Sequence, residues 1–484
     1  MEVIPAPGVT TGAVNYVMTL GARRLAFTGE TIAGPGKLSR LAPLQYDYND
    51  LHGAVNTWHT CRRLLKAKPD SLFPSCGEPM DDAPAALQAL REALKSIDGM
   101  HPGFPDRLTD PDADDLEEIL PRLWRSKYAV AETHFVKGST GKILSLDYGY
   151  NWASYQQPGR NHLSNRRPFP HGLDGLEQRT GSRKIDTILV SHYHDDHING
   201  IPMIQRLCGA QVWAPENVAD ILEHPDEYDR PCLWHEPIKV SRRLKPGERV
   251  EWDGVPITTH PMSGHTRFSA LLCLEIDGTR VAHTGDQIFS DNWGGEPFGP
   301  KSRQFTNHVY KNGLEAGCYR DSLALLRSFK PDLVLTGHTK PYRPGADWFG
   351  KLEAGAKSFD EIHESLGNCL PDGVHFGFEG QGGTLKPYRV HLTEAKSFEF
   401  DGWILNPFPT AGKAVVSLIL PDGWSSGPLA VELGPRERKH IRITCRPETG
   451  VVCRRQPVAL DLTVNDRPFG QVCEALVTIG FAVF

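Results

Sequence analysis

The run Ser191-His192-Tyr193-His194-Asp195-Asp196-His197-Ile198-Asn199-Gly200 constrains this chain more than any other feature. It gathers three imidazoles and two carboxylates directly after the apolar run Ile185–Val190. An apolar run of that length, stopped by a polar cluster, reads as a buried strand. A strand end pins the loop that follows, so the loop's side chains can converge on one point. His192 and His194, two residues apart, can face one metal from an extended loop. Asp196 and His197 then turn toward a second position as a helix begins. Imidazoles suit zinc and iron, and a carboxylate adds a hard oxygen ligand.

Around this run, residues 128–345 alternate strand-like and helix-like segments. Tyr128–Phe135, Lys142–Leu146, Gln211–Ala214 and Leu333–Thr336 read as strands; Ile201–Leu207, Val218–Leu222 and Tyr319–Phe329 read as helices. Leu271–Ile276 and Thr279–His283 form a hairpin across Asp277-Gly278, because Asp-Gly favours the tight primed turn. Mixed α/β layers follow from this order. Three further ligand-type residues fall at strand ends, each beside a glycine that lets the backbone bend. They are His265 in Ser-Gly-His-Thr, Asp286 in His-Thr-Gly-Asp-Gln and His338 in Thr-Gly-His-Thr.

The order HxHxDH, then H, then D, then H resembles the metallo-β-lactamase superfamily of dinuclear hydrolases. The resemblance covers about 128–345 and implies an αββα sandwich, hence an α/β fold. It implies that His192, His194 and His265 hold a first metal, that Asp196, His197 and His338 hold a second, and that Asp286 bridges both. Asp147, at the end of the strand Lys142–Leu146, matches the family's supporting aspartate. The implied cofactors are two divalent metal ions, zinc first, with iron or manganese as alternatives. Any one of the 20 histidines is ordinarily a surface or core residue. Seven ligand-type residues in the family's order are poorly explained that way.

The first 80 residues repeat part of this module. Arg24-Leu25-Ala26-Phe27-Thr28-Gly29-Glu30 aligns with Arg280-Val281-Ala282-His283-Thr284-Gly285-Asp286, and Pro7-Gly8-Val9-Thr10 with Ser263-Gly264-His265-Thr266, both at an offset of 256. After a six-residue insertion in the later copy, Lys68-Pro69-Asp70 aligns with Lys330-Pro331-Asp332, and Cys76 falls on His338. Three matches in register point to a duplication that retains the second half only. Val9, Glu30 and Cys76 replace His, Asp and His, so residues 1–80 are expected to bind no catalytic metal.

The expected organisation is a degenerate half-module over 1–80, a helical linker over 81–127 (helices Pro84–Ile97 and Ala113–Trp124), and the intact module over 128–345. A linker helix over 346–369 and an all-β sandwich over 370–484 complete it. The last region carries short alternating runs (Ala414–Leu420, Lys439–Thr444, Val458–Val464, Cys473–Ile479) between turn residues, the pattern of a β-sandwich of about a hundred residues. Its Trp403 and Trp424 read more readily as core than as ligand platforms.

Charge and composition exclude some functions. With 53 basic and 59 acidic residues, the chain gives no electrostatic case for binding nucleic acid. No apolar run approaches the ~18–20 residues of a membrane span. The start Met1-Glu2-Val3-Ile4-Pro5 lacks the basic and apolar regions of a secretory signal, which predicts a cytoplasmic location. The ten cysteines form no CxxC pair, and a Cys445–Cys453 or Cys453–Cys473 bridge stays open.

The expected function is hydrolysis by a hydroxide shared between two metals, with Asp196 and Asp286 taking part directly. Asp286 at the bridging position, by the resemblance, places ester, thioester, lactone and phosphodiester substrates ahead of β-lactams. A small-molecule substrate and a homo-oligomer are the expected partners. The segments 148–184 and 287–312, with Tyr148, Tyr150, Trp152, Tyr155, Arg160, Arg166, Arg167, His171, Phe289, Trp293, Phe298, Lys301 and Arg303, are candidate pocket walls for an anionic substrate with an apolar part. Tyr193 and Asn199 are candidates to orient it. Two other classes compete: an iron-dependent sulfur oxygenase of the same fold, and a binding scaffold with an incidental metal site.

Overall fold

The computed structural model describes residues 1–10, 13–41, 53–98, 116–127, 129–150, 171–290, 304–306, 310–367, 372–377 and 379–481. The chain divides into two compact units, one of residues 1–117, 126–130 and 150–183, the other of 118–125, 131–149 and 184–484.

In the first unit, β1 (Glu2–Pro5), β2 (Val14–Leu20), β3 (Arg23–Gly29) and β4 (Ser71–Pro74) form one sheet in that order. The first three strands are antiparallel neighbours, and β4 joins β3 in parallel. A parallel return needs a crossover, supplied by α1 (Gly53–Ala67). Helices α2 (Ala83–Asp98) and α3 (Leu173–Thr180) follow. Alternate strand residues Ile4, Val17, Ala26 and Leu72 share a core with Trp58, Cys61 and Leu64 of α1 and Leu87, Leu90 and Leu94 of α2.

In the second unit, a seven-stranded sheet is built from β5 (Leu116–Leu120), β6 (Leu123–Ser126), β7 (His134–Lys137), β8 (Ile143–Leu146), β9 (Thr187–Leu189), β10 (Gln211–Pro215) and β11 (Arg242–Leu244), in sequence order across the sheet. Strands β8 to β11 run parallel, and β8 and β9 are buried at every residue, as near-continuous apolar strands should be. Helices α4 (Asp195–Ile198), α5 (Ile201–Cys208) and α6 (Glu216–Glu223) make the crossovers.

The second sheet has the order β12 (Arg249–Trp252), β13 (Val255–Pro261), β14 (Ala270–Ile276), β15 (Thr279–His283), then β18. A two-stranded sheet, β16 (Ile288–Ser290) with β17 (Gln304–Thr306), and helix α7 (Cys318–Phe329) precede β18 (Leu333–Leu335); α8 (Trp348–Gly367) follows it. Asp277 and Gly278 turn the β14–β15 hairpin with φ of 49° and 78°, the primed turn that Asp-Gly predicts. Trp252 of β12 donates its Nε1–H to Thr187 Oγ1 of β9 at 3.0 Å, so the two sheets pack face to face. Helices α7 and α8 cover the outer face through Leu271, Cys273, Ala282, Val334, Leu326 and Phe359.

This packing brings together the C-terminal ends of β8, β9, β13, β15 and β18, and the loops that leave those ends carry the ligand-type residues.

The C-terminal region is a two-sheet sandwich with one shared core. β19 (Gly383–Lys386), β21 (Phe398–Leu405) and β24 (Arg438–Cys445) form one sheet. β20 (Arg389–Leu392), β26 (Arg467–Ile479), β25 (Cys453–Val464), β22 (Gly412–Ile419) and β23 (Leu429–Leu433) form the other. Phe400, Ile404, Val416, Ile441, Leu460 and Val477 fill the space between them.

The structure departs from the sequence reading in two places. Residues expected as a helix over Ala113–Trp124 form β5 and β6 instead. Pro121 stands between them, and proline disfavours a helix both at its own position and at the residue before it. The strand expected over Tyr128–Phe135 starts at His134; Glu132 before it donates its N–H to Gly337 O at 2.6 Å, which makes that stretch a tethered loop. Strand β21 is not among the runs singled out in the sequence. A Cβ on Gly402 would meet Thr384 O at 2.0 Å, so close strand approach requires glycine there. Cys445, Cys453 and Cys473 are all free thiols.

One buried ion pair ties the sandwich to the metal module inside this unit. Arg230, beyond α6, pairs with Glu379, and both side chains are over nine-tenths buried. Glu379→Ala is expected to strand a buried guanidinium and lower unfolding free energy by ~3–5 kcal/mol. Arg230→Met with Glu379→Leu is expected to recover most of that loss in a urea titration.

Candidate metal centre

All seven ligand-type residues read from the sequence meet in one place. His192, His194, His265 and Asp286 form one group whose candidate ligand atoms lie within 4.8 Å of one another; Asp196, His197, His338 and Asp286 form a second. Asp286 belongs to both. Its Oδ2 stands 3.9 Å from His192 Nε2, 3.7 Å from His265 Nε2 and 3.2 Å from His338 Nε2, while Oδ1 is 3.2 Å from His197 Nε2. Asp196 Oδ2 lies 3.3 Å from His338 Nε2. No group of this kind among the described residues includes Val9, Glu30 or Cys76. Glu30 pairs with Arg40, and Cys76 is exposed.

The rings are aimed by neighbours. Asp147, at φ 55°, accepts from Ser191 N–H at 2.7 Å and from Ser191 Oγ–H at 2.6 Å. Its Oδ2 also takes His197 Nδ1 at 2.8 Å, which leaves Nε2 of His197 pointing inward. Ser191 Oγ in turn contacts His192 Nδ1 at 3.0 Å. Asp147 therefore orients two imidazoles through one carboxylate, the way carboxylates commonly support metal-bound histidine. Gly337 is needed for packing: a Cβ there would lie 1.8 Å from Asp286 Oδ1 and 2.7 Å from His197 Cε1.

Burial drives imidazoles neutral and carboxylates protonated unless charges oppose it. Burial, followed by His197 and His194, holds His192 well below its ordinary range. Burial and His265 hold His194 down at about 3. Burial pulls on His338 too, but Asp286 and Asp196 outweigh it and hold the ring up at about 10. His197 is raised against burial by Asp286, Asp196 and Asp147. Against burial, His338 and His197 hold Asp286 well below the carboxylate range, and His197 and His338 do the same for Asp196. His192 and His194 are thus held neutral, while Asp196, His197, Asp286 and His338 form a mutually charged set.

The residues fit divalent metal ions. His192 Nε2 is buried without a hydrogen-bond partner, although buried polar atoms are nearly always satisfied. The donors are imidazoles and carboxylates, the set that binds zinc or iron.

Sequence reading missed Asn312 and Gln287. Asn312 accepts from Tyr193 O–H at 2.6 Å and donates Nδ2–H to His265 O at 3.1 Å, with His194 Nε2 at 3.2 Å. Gln287 Oε1 accepts from His265 N–H at 2.9 Å, and its Nε2 donates to Ser263 O at 3.0 Å. Gln287 directly follows Asp286 and Asn312 sits in no motif, and only the fold reveals what the two side chains touch. Tyr193 is buried and spends its hydroxyl on Asn312, which corrects its reading as a substrate-orienting group. Asn199 is likewise buried and closes the short helix α4 through Asp195 O. Tyr148 packs against Phe135 and His171 contacts Ser126, so both are core residues. Trp152, Tyr155, Arg160, Arg166, Arg167, Trp293, Phe298, Lys301 and Arg303 lie outside the described residues.

Residues 168–338 match the sequence model of the metallo-beta-lactamase superfamily. The module that carries this site belongs to that superfamily. Among curated proteins, a hydroxyacylglutathione hydrolase of Albidiferax ferrireducens is 27% identical over 123 residues, 25% of this chain and 41% of that protein. An atrochrysone carboxyl ACP thioesterase of a Cryptosporiopsis species is 22% identical over 190 residues, 37% of this chain and 48% of its own length. The chain thus spans under half of either relative. Among solved structures, the native FEZ-1 metallo-beta-lactamase from Legionella gormanii is 16% identical; the match covers 53% of this chain and 99% of that one, with a TM-score of 0.36.

Removing a group that aims a ligand should weaken metal binding without unfolding the chain. Asp147→Asn and Asn312→Ala are each expected to lower zinc affinity by ~10–100-fold, measured by competition with a chromophoric chelator. Circular dichroism is expected to remain that of the unaltered protein.

Proposed function

We propose that this chain is a dinuclear metallohydrolase acting on a thioester. His192, His194 and His265 hold one ion, Asp196, His197 and His338 the other, and Asp286 touches both. The observation that carries this reading is the place of Asp286, within reach of four imidazoles drawn from both groups. Bound there, two divalent ions, zinc first, supply a Lewis acid for the scissile carbonyl and a water that ionises near neutral pH. The chain's residues do the rest. Asp286 fixes the spacing between the two groups. Asp147, Ser191 and Asn312 hold the rings in place. Asp196 has the most exposed side chain of the seven, at 19%, so it faces the side from which substrate arrives.

The thioester is favoured by the relatives named as a hydroxyacylglutathione hydrolase and an ACP thioesterase. A carboxylate at position 286 is compatible with ester, lactone and phosphodiester cleavage as well, and a strained β-lactam amide is open to the same attack. The test is metal analysis beside a panel of an acyl thioester, an aryl phosphodiester, a lactone and nitrocefin. Near two zinc per chain with turnover of the thioester first is expected. One iron per chain without hydrolysis would move the assignment to sulfur oxidation. Phosphodiester or lactone turnover first would keep the centre and replace the substrate.

Chelation is expected to abolish turnover, zinc to restore it, and the melting temperature to fall in between, because a ligand bound only by the folded state stabilises it. Asp286→Ala is expected to cost about a hundredfold or more in kcat/KM while the circular dichroism spectrum is kept. Full activity and full metal content in that variant would sink the assignment of Asp286.

A further inference from the structure

Among the described residues, one face of the four-stranded sheet of the first unit has no cover. Val3, Tyr16, Phe27 and Phe73 stand in register across β1, β2, β3 and β4. Val14, Met18, Leu20 and Leu25 lie on the same face, since side chains two apart in a strand share a side. Val3, Tyr16 and Phe27 are 52%, 43% and 42% exposed, and the Phe27 and Phe73 rings stack at 5.4 Å. The opposite face is the one packed on α1 and α2. An exposed apolar patch of this continuity marks an interaction site.

The second unit shows what such a face packs against. At the offset of 256, β2 coincides with β14, and β3 overlaps β15; at 262, β4 coincides with β18 within a residue and α1 overlaps α7. The helix-side residues Val17, Ala26, Cys61, Leu64, Leu72 and Met80 correspond to Cys273, Ala282, Leu323, Leu326, Val334 and Tyr342, and both sets are core residues. On the other face, Tyr16, Met18, Leu25 and Phe73 correspond to Leu272, Leu274, Val281 and Leu335. All four of these are buried, on the side where the seven-stranded sheet lies. The bare face therefore has the residue pattern of a surface that packs on another sheet.

We propose that this face is where two copies of the chain associate, sheet on sheet about a twofold axis. Among the described residues, the seven- and five-stranded sheets already pack on each other, and the two C-terminal sheets share a core. The β1–β4 face is the one long apolar sheet face with no sheet on it, and a second copy supplies a matching one. None of these eight side chains is charged, and Arg23, which shares the face at its edge opposite Leu20, is paired with Asp81 at 2.8 Å, so the face meets its own image without an unpaired like charge, as a twofold interface requires. Four strands spaced ~4.8 Å apart, two of seven residues and two of four, give a footprint of roughly 300–400 Å² per copy. That is smaller than the ~800 Å² per partner of a standard stable interface. The dimer is therefore one that forms and dissociates with concentration.

The test is sedimentation velocity on the full metal-loaded chain, from about micromolar to about hundreds of micromolar. Wild type is expected to shift from monomer to dimer across that range. Tyr16→Asp and Phe27→Asp bring like charges together across the axis and are expected to weaken association by about a hundredfold or more, with thioester turnover unchanged. Should either variant lose its circular dichroism spectrum, the milder Tyr16→Ser with Phe27→Ser decides by the same measurement. A wild type that stays monomeric throughout would show the face covered by the chain itself and overturn the proposal. So would a dimer that neither pair of variants weakens, since its interface would lie elsewhere.

Discussion

The Asp286 carboxylate is the point on which the site turns. It is buried, it carries charge, and four imidazole nitrogens from three loops lie within 4 Å of it. A lone ionised carboxylate in that position would be prohibitively costly, because charge leaves water at a cost of several kcal/mol even after relaxation. It is tolerable only where cations gather, whether protonated His197 and His338 or a metal. Everything around it serves that gathering: Gly337 leaves room for the carboxylate, Asp147 aims His197, and Asn312 braces the backbone of His265.

That convergence rests on the packing of two sheets. The residues are far apart in the chain, and no local propensity brings His192 near His338. The parallel strands β8 and β9 of one sheet and β13, β15 and β18 of the other end on the same side of the module. Loops at those ends are the places where side chains can converge without breaking strand pairing. The cores beneath are apolar and buried, so the loops have rigid bases, and a site on rigid bases holds its geometry more closely than one on mobile loops.

The same two-sheet logic accounts for the N-terminal unit. Its core residues follow those of the second sheet position by position, and its metal-ligand positions do not. Retained core with lost ligands is what packing requires when catalysis does not. The apolar outer ladder Val3, Tyr16, Phe27 and Phe73 has no role in that core, which is why it points to a partner.

Much of the centre was legible in the sequence because imidazoles and carboxylates after an apolar strand have few other uses in that density. The order of His192, His194, Asp196, His197, His265, Asp286 and His338 named the ligand-type residues, and Asp277-Gly278 fixed a hairpin through backbone sterics alone. The linker over 113–124 was misread, because acidic and apolar residues there suit a helix until Pro121 and pairing with β7 decide for strands. The roles of Asn312, Gln287 and Ser191 became visible only through tertiary structure: a polar residue that aims a ligand is defined by what it touches, and contacts across 22, 44 or 118 residues leave no local pattern. The sequence by itself determined which side chains can bind a metal. Only the packing of the two sheets decided that one carboxylate serves both groups, because that depends on where strand ends meet in space.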